Sequence, residues 1–147
     1  MRHIKFFKEF ITEGTVKKGS INQERAKSLV IEADRKFRLL KENIDKLGIN
    51  KDNANDYVEY CYNILLFLIR AKMFTQGYST SGQGAHEAEV SFTRNIGFNE
   101  KDIQFLDQLR YFRNGILYYG KRFDKEYAGK VLEFTKRTFP KLRILLK

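Results

Sequence analysis

The chain predicts an all-α fold, an up-and-down four-helix bundle with one short additional helix. Three observations carry this reading. Apolar residues recur at steps of three and four along the long segments, the spacing of one helix face. Capping residues and glycines bracket those segments. No segment alternates apolar and polar residues as a half-buried strand does, and no internal repeat is visible. With 147 residues, 42% of them apolar and 14% aromatic, the chain reads as one folded domain, residues 1–147, with its core over about 20–139.

Taken in order, Ile4 to Ile11 form one or two turns that pack on the bundle. The first long helix runs from Asn22, its N-cap, to about Leu47, and Gly48 ends it. Its stripe is Val30, Ala33, Phe37, Leu40, Ile44 and Leu47. A polar linker, INKDNAN, leads to a second helix from Ala54 or Asn55 to about Gln76. The middle of that helix, CYNILLFLI, is apolar nearly all round, which places it at the centre of the bundle or against a dimer partner as well. GYSTSGQGA reads as the most flexible stretch, and a short helix follows from about His86 to Asn95. The third long helix spans Glu100 to Gly120 with Asn99 as cap. It buries Phe105, Leu109, Phe112, Ile116 and Tyr119, with Phe123 extending the series. The fourth begins near Asp124 and turns Tyr127, Val131, Phe134 and Thr138 inward. Pro140 is expected to interrupt or kink it, leaving KLRILLK as a short basic and apolar ending.

Composition excludes several classes. The longest uninterrupted apolar run, Ile64–Ile69, has six residues, against the roughly 20 needed to span a bilayer. The start of the chain sets lysines among its apolar residues and lacks a small-residue cleavage pattern, so it is not read as a secretory signal. One cysteine and two histidines make neither a disulfide scaffold nor a transition-metal site. Cytoplasmic location is the expectation, with no metal, no cofactor and no membrane. Cys61 reads as core. GQG at 82–84 resembles a glycine-rich phosphate loop, but no strand is expected before it, so it reads as a linker. His86, with Glu87 and Glu89, reads as decoration at the start of the short helix.

The net charge is +10, and residues 101–147 alone carry +7. A basic surface of this kind attracts phosphates through a long-range field and counterion release. The densest cluster is LRYFRNGILYYGKRF, residues 109–123. Leu106, Arg110, Arg113 and Leu117 form a stripe beside the core stripe, which sets two arginines at the border of the core. Asn114 lies one turn beyond Arg110, and Tyr118 one turn beyond Asn114, within reach of Arg113. An arginine in such a place needs a carboxylate, a subunit interface or a phosphate. Internal pairing with Glu32, Asp34 or Glu59 is the bland alternative. Gly115 in mid-helix costs about 1 kcal/mol relative to alanine, which suggests a crowded face.

At these residues the chain resembles the HEPN family, the higher eukaryotes and prokaryotes nucleotide-binding domains, and in particular small stand-alone prokaryotic and archaeal members. LRYFRNGILYYG resembles the family's motif helix, in which an arginine and a polar residue precede a histidine by four to six positions. The order of segments also agrees: a long helix opening ERAKSLV, the central YCYNILLFLIRAKMF, and a short helix opening AHEAE. The resemblance covers roughly residues 20–139. It implies a bundle that is often a homodimer, with paired motif helices lining a cleft. Active members are metal-independent ribonucleases, and many are toxins paired with a nucleotidyltransferase-type antitoxin. Arg113 takes the motif arginine's place, Asn114 that of its polar neighbour, and Tyr118 stands where the family has histidine.

A phenol that ionises near pH ~10 is a poor general base at neutral pH. The expectation is therefore an RNA- or nucleotide-binding protein of toxin type. Its catalytic-position residues are Arg113, Asn114 and Tyr118, and its nucleic-acid-binding residues are Arg110, Arg113, Lys121 and Arg122. An active metal-independent endoribonuclease, with Tyr118 or His86 handling protons, is one alternative. A protein-interaction module partnering a nucleotidyltransferase is the other, and Tyr118 and Tyr119 are then candidates for modification by that partner.

Overall fold

A computed structural model describes residues 3–147. It contains α1 (Phe7–Glu13), β1 (Val16–Lys18), α2 (Gln23–Leu47), α3 (Ala54–Thr75), β2 (Tyr78–Thr80), α4 (Ala85–Asn95), α5 (Glu100–Tyr119) and α6 (Lys125–Leu145). The fold is an all-α bundle of four long helices, with two short helices and one two-stranded antiparallel ribbon.

The caps fall where the sequence puts them. The side chains of Asn22, Asn99 and Asp124 accept from the backbone N–H groups of Arg25, Asp102 and Tyr127, satisfying donors that a helix start otherwise leaves open. Gly120 closes α5 at φ 62°.

Contacts between helices give the up-and-down order. Asn22 N–H bonds Phe74 O, so α2 begins where α3 ends. Asn55 holds Lys121 and Phe123, while Arg113 lies over Tyr62, so α5 runs against α3. Phe105 meets Phe134 and Phe112 meets Tyr127, so α6 runs against α5. Phe37 stacks on Phe139 at 4.1 Å, closing α2 onto α6. The central helix is α3: Val58, Cys61, Ile64, Leu65, Leu68 and Ile69 are all buried, as its all-round apolarity requires.

Several expectations are corrected. Tyr78–Thr80 is not a flexible linker but a strand, with Val16 opposite Thr80 and Lys18 opposite Tyr78. Three residues are too few to show alternation in a sequence. The ribbon forms because the connections flanking α2 and α3 must pair their backbone groups. Gly77 has no side chain because a Cβ there would run into the Gly19 carbonyl.

Pro140 does not interrupt α6, which continues to Leu145. Pro140 and Lys136 are exposed, so the carbonyl that loses its amide partner stays solvated. Leu142 near the end of the helix is buried, so the basic ending is part of α6 rather than a separate tail.

Leu47 and Tyr119, placed on the core stripes by spacing, are exposed, each as the last residue of its helix. The crowding at Gly115 comes from this chain's own Lys121, whose Cδ would lie 3.4 Å from an added Cβ.

Candidate nucleic-acid interface

The basic cluster of α5 divides into a buried part and an exposed part. Arg110 is buried rather than at the border of the core, with 7% of its surface exposed. Its Nε donates to Asp107 Oδ1 at 3.0 Å, one turn earlier on the same helix. None of the three carboxylates foreseen for it is its partner: Glu32 pairs with Arg35 and Asp34 with Arg143, while Arg110 takes Asp107. Arg113 is half-buried, and its guanidinium lies 5.5 Å from the ring centroid of Tyr62 on α3. Asn114 is half-buried beside it.

The exposed part is the end of α5 and the connection after it. Tyr118 is 75% exposed and has no hydrogen bond to Arg113 or Asn114, so the expected approach of its phenol is not made. Lys121 is exposed and lays its stem on Gly115. Arg122 is exposed, and its Nη2 donates to the carbonyl of Lys51 at 3.4 Å. Asn55 fixes this connection: its Nδ2 donates to Lys121 O at 2.7 Å and its Oδ1 accepts from Phe123 N–H at 2.9 Å. The sequence offered no signal for that clamp, because its partners lie 66 and 68 positions away.

Tyr62 is the residue that sequence reasoning missed. It sits in the apolar run of α3 and is 1% exposed, yet its hydroxyl has no hydrogen-bond partner among the described residues. The same is true of Nη2 of Arg110 and Nε of Arg113, which are likewise buried. Burial pushes the Tyr62 phenol well above the ordinary tyrosine range. Glu89 adds to the rise, and Arg110, Arg113 and Arg70 oppose it. Tyr62 is therefore neutral at physiological pH and can donate a hydrogen bond.

Glu89 adds a buried carboxylate near this junction. It is fully buried on α4 and pairs with Arg70 of α3 through Nε, with Nη2 at 3.3 Å from its other oxygen. His86 Nδ1 lies 2.9 Å from Glu89 Oε1. His86 is thus held by a buried carboxylate, rather than only decorating a helix start, and that carboxylate acts on Tyr62. One signal was legible: His86 and Glu89 are three apart, on one helix face.

A cleft of about 760 Å³ lies between α5 and α6, with Phe105, Phe112 and Phe134 in its wall and Asp107, the partner of Arg110, at its edge. None of Arg110, Arg113, Asn114, Tyr118, Lys121 and Arg122 lines it. Among the described residues no group of three His, Cys, Asp or Glu side chains could hold a metal ion, and no helix is long and apolar enough to cross a membrane. Comparison of the chain with protein-family models, curated proteins and solved structures finds no match.

Proposed function

We propose that the protein binds RNA, or a nucleotide, through a phosphate held where Arg113 covers Tyr62, with Arg110 behind them. The observation that carries this reading is that three of the four buried polar atoms without partners among the described residues, Arg110 Nη2, Arg113 Nε and Tyr62 Oη, belong to the facing helices α5 and α3; the fourth is Tyr127 Oη on α6. A buried donor left unpaired costs about 1–3 kcal/mol, so three such donors on the facing helices α3 and α5 favour an acceptor entering between them. Two guanidinium groups and a neutral phenol supply donors only suited to an anion with several oxygens, and a phosphate has that form. Lys121 and Arg122, exposed at the end of the same helix, add attraction along the backbone of a polynucleotide.

The resemblance to the HEPN family points the same way. In this reading the protein acts in the cytoplasm as a homodimer, with the exposed Leu117, Tyr118 and Tyr119 at the contact between copies. The toxin role and the nucleotidyltransferase-type partner follow from the resemblance alone. Titration of a labelled single-stranded RNA tests the site. Arg113→Ala is expected to weaken binding at least about tenfold, and unchanged affinity would overturn the assignment.

A second reading, metal-independent RNA cleavage, is favoured by one observation: Glu89 holds His86 while acting on Tyr62. A 2′-hydroxyl would attack the adjacent phosphorus and pass its proton to the imidazole, the bond from phosphorus to the 5′-oxygen would break, and that oxygen would take its proton from solvent water. RNA fragments ending in cyclic phosphate, formed in EDTA and lost in His86→Ala, are the expected sign. Intact RNA after long incubation would sink this second reading and leave the binding reading standing.

A further inference from the structure

The glycine-rich segment at 82–84 reads as a linker when no strand precedes it. In the structure a strand does precede it and a helix does follow: β2 ends at Thr80, Gly82 and Gly84 both take positive φ (78° and 87°), and α4 begins at Ala85. Beside this turn, between β2, the start of α2 and the end of α3, lies a cleft of about 190 Å³. Its wall includes Arg25, Arg70, Phe74, Ser79 and Thr80. At roughly 30 Å³ per liquid water, the space equals about six waters, enough for the five heavy atoms of a phosphate group.

The charges favour an anion. Arg25 rests its guanidinium on the Phe74 ring, 4.6 Å from the centroid, and forms no ion pair among the described residues. Arg70 gives Nε and Nη2 to Glu89, which leaves Nη1 uncommitted. Glu89 also borders the cleft, but both its oxygens are taken, by Arg70 and His86, and its charge is offset there. Two guanidinium groups against one compensated carboxylate leave the wall positive. Lys17 and Lys18 line a second cleft that shares Phe74, Tyr78 and Ser79 with the first, which extends the positive field. The hydroxyls of Ser79 and Thr80 supply donors of short reach.

We propose that this cleft is a second anion site, separate from the Tyr62 junction, and that it takes the phosphate group of a phosphomonoester. Arg25 is the charged group that closes on it, Arg70 contributes its free Nη1, and Ser79 and Thr80 donate their hydroxyls. Arg70 serves as a fixed wall, since Glu89 holds it, whereas Arg25 is the exposed and adjustable arm.

The test uses the intact chain, with inorganic phosphate and a nucleoside 5′-monophosphate as probes. Calorimetric titration is run on the wild type, Arg25→Gln, the pair Ser79→Ala with Thr80→Val, and Arg113→Ala. The expected result is binding of both probes by the wild type, weakened at least about tenfold in Arg25→Gln. It should weaken to a smaller extent in the hydroxyl pair. In Arg113→Ala, which removes the Tyr62 junction, the Arg25-dependent component should persist while binding at the junction is lost. Arg25 is exposed, so its variant keeps the fold, and an unchanged thermal midpoint confirms that. Binding that survives Arg25→Gln intact, or that disappears only in Arg113→Ala, would overturn the second site. So would an absence of binding by the wild type at millimolar phosphate. RNA affinity in Arg113→Ala is read separately, so failure here and failure at the Tyr62 junction remain distinguishable.

Discussion

The guanidinium of Arg113 lies 5.5 Å from the centre of the Tyr62 ring, and among the described residues neither Arg113 Nε nor the Tyr62 hydroxyl has a hydrogen-bond partner. A stacked guanidinium next to an unpaired phenol is costly in the absence of an acceptor and well prepared for one. That relationship joins the central helix α3 to the basic helix α5, and the functional reading rests on it.

Removing the Tyr62 hydroxyl separates stability from function. Tyr62→Phe deletes a buried polar atom without a partner, so stability should stay level or rise by up to about 1 kcal/mol. RNA affinity should fall about threefold to tenfold, because a donor to the phosphate is lost. Denaturant unfolding and RNA titration measure the two effects. A variant that is markedly less stable, or that binds RNA as before, would contradict the placement of the hydroxyl.

Most of the bundle was legible because it depends on short-range patterns. The step of three and four located α2, α5 and α6, with Asn22, Asn99 and Asp124 at their starts, and all-round apolarity located α3. The ribbon was not legible, since Val16–Lys18 and Tyr78–Thr80 lie about 60 residues apart and each is only three residues long. The arginines of the site were legible as residues out of place at the edge of an apolar stripe. Their partner Tyr62 was not, because an aromatic residue in an all-apolar helix looks like ordinary core until the arginines of another helix are seen to face it. Tyr118 was chosen by its position in a motif, and in the single chain it is exposed rather than packed against Arg113.

The ion pair between Asp102 and Arg137 gives the acid side of the stability curve a defined sign. Arg137 donates to both oxygens of Asp102, at 2.9 and 3.0 Å, and holds that carboxyl below its ordinary range. A depressed native value means the stabilisation is present above about pH 4, the unfolded value, and is lost as pH falls through the native one. Arg137→Met should therefore be less stable at pH 7 and lose less on acidification than the wild type. Thermal midpoints measured from neutral pH down to strong acid would show parallel curves if the pair contributes nothing.

Cys61 predicts the alkaline side. Burial pushes its thiol up to about 11, with a contact to Thr135 opposing the rise. A raised native value favours the protonated form, so this contribution is whole below about pH 9 and is lost as pH rises toward 11. At pH 8 the native thiol should resist a thiol reagent that modifies the unfolded chain within minutes. Rapid labelling of the folded protein would show that α3 is not packed as described.

The most direct test observes the arginines themselves. With side-chain-selective ¹⁵N labelling, the Nε–Hε resonances of Arg110 and Arg113 are followed by NMR while a short single-stranded RNA is added. The account predicts that the Arg113 resonance moves in a saturable way, with Arg110 following and both responses lost in Tyr62→Ala. Shifts confined to Arg122 and the lysines, with Arg110 and Arg113 unmoved at saturation, would contradict it.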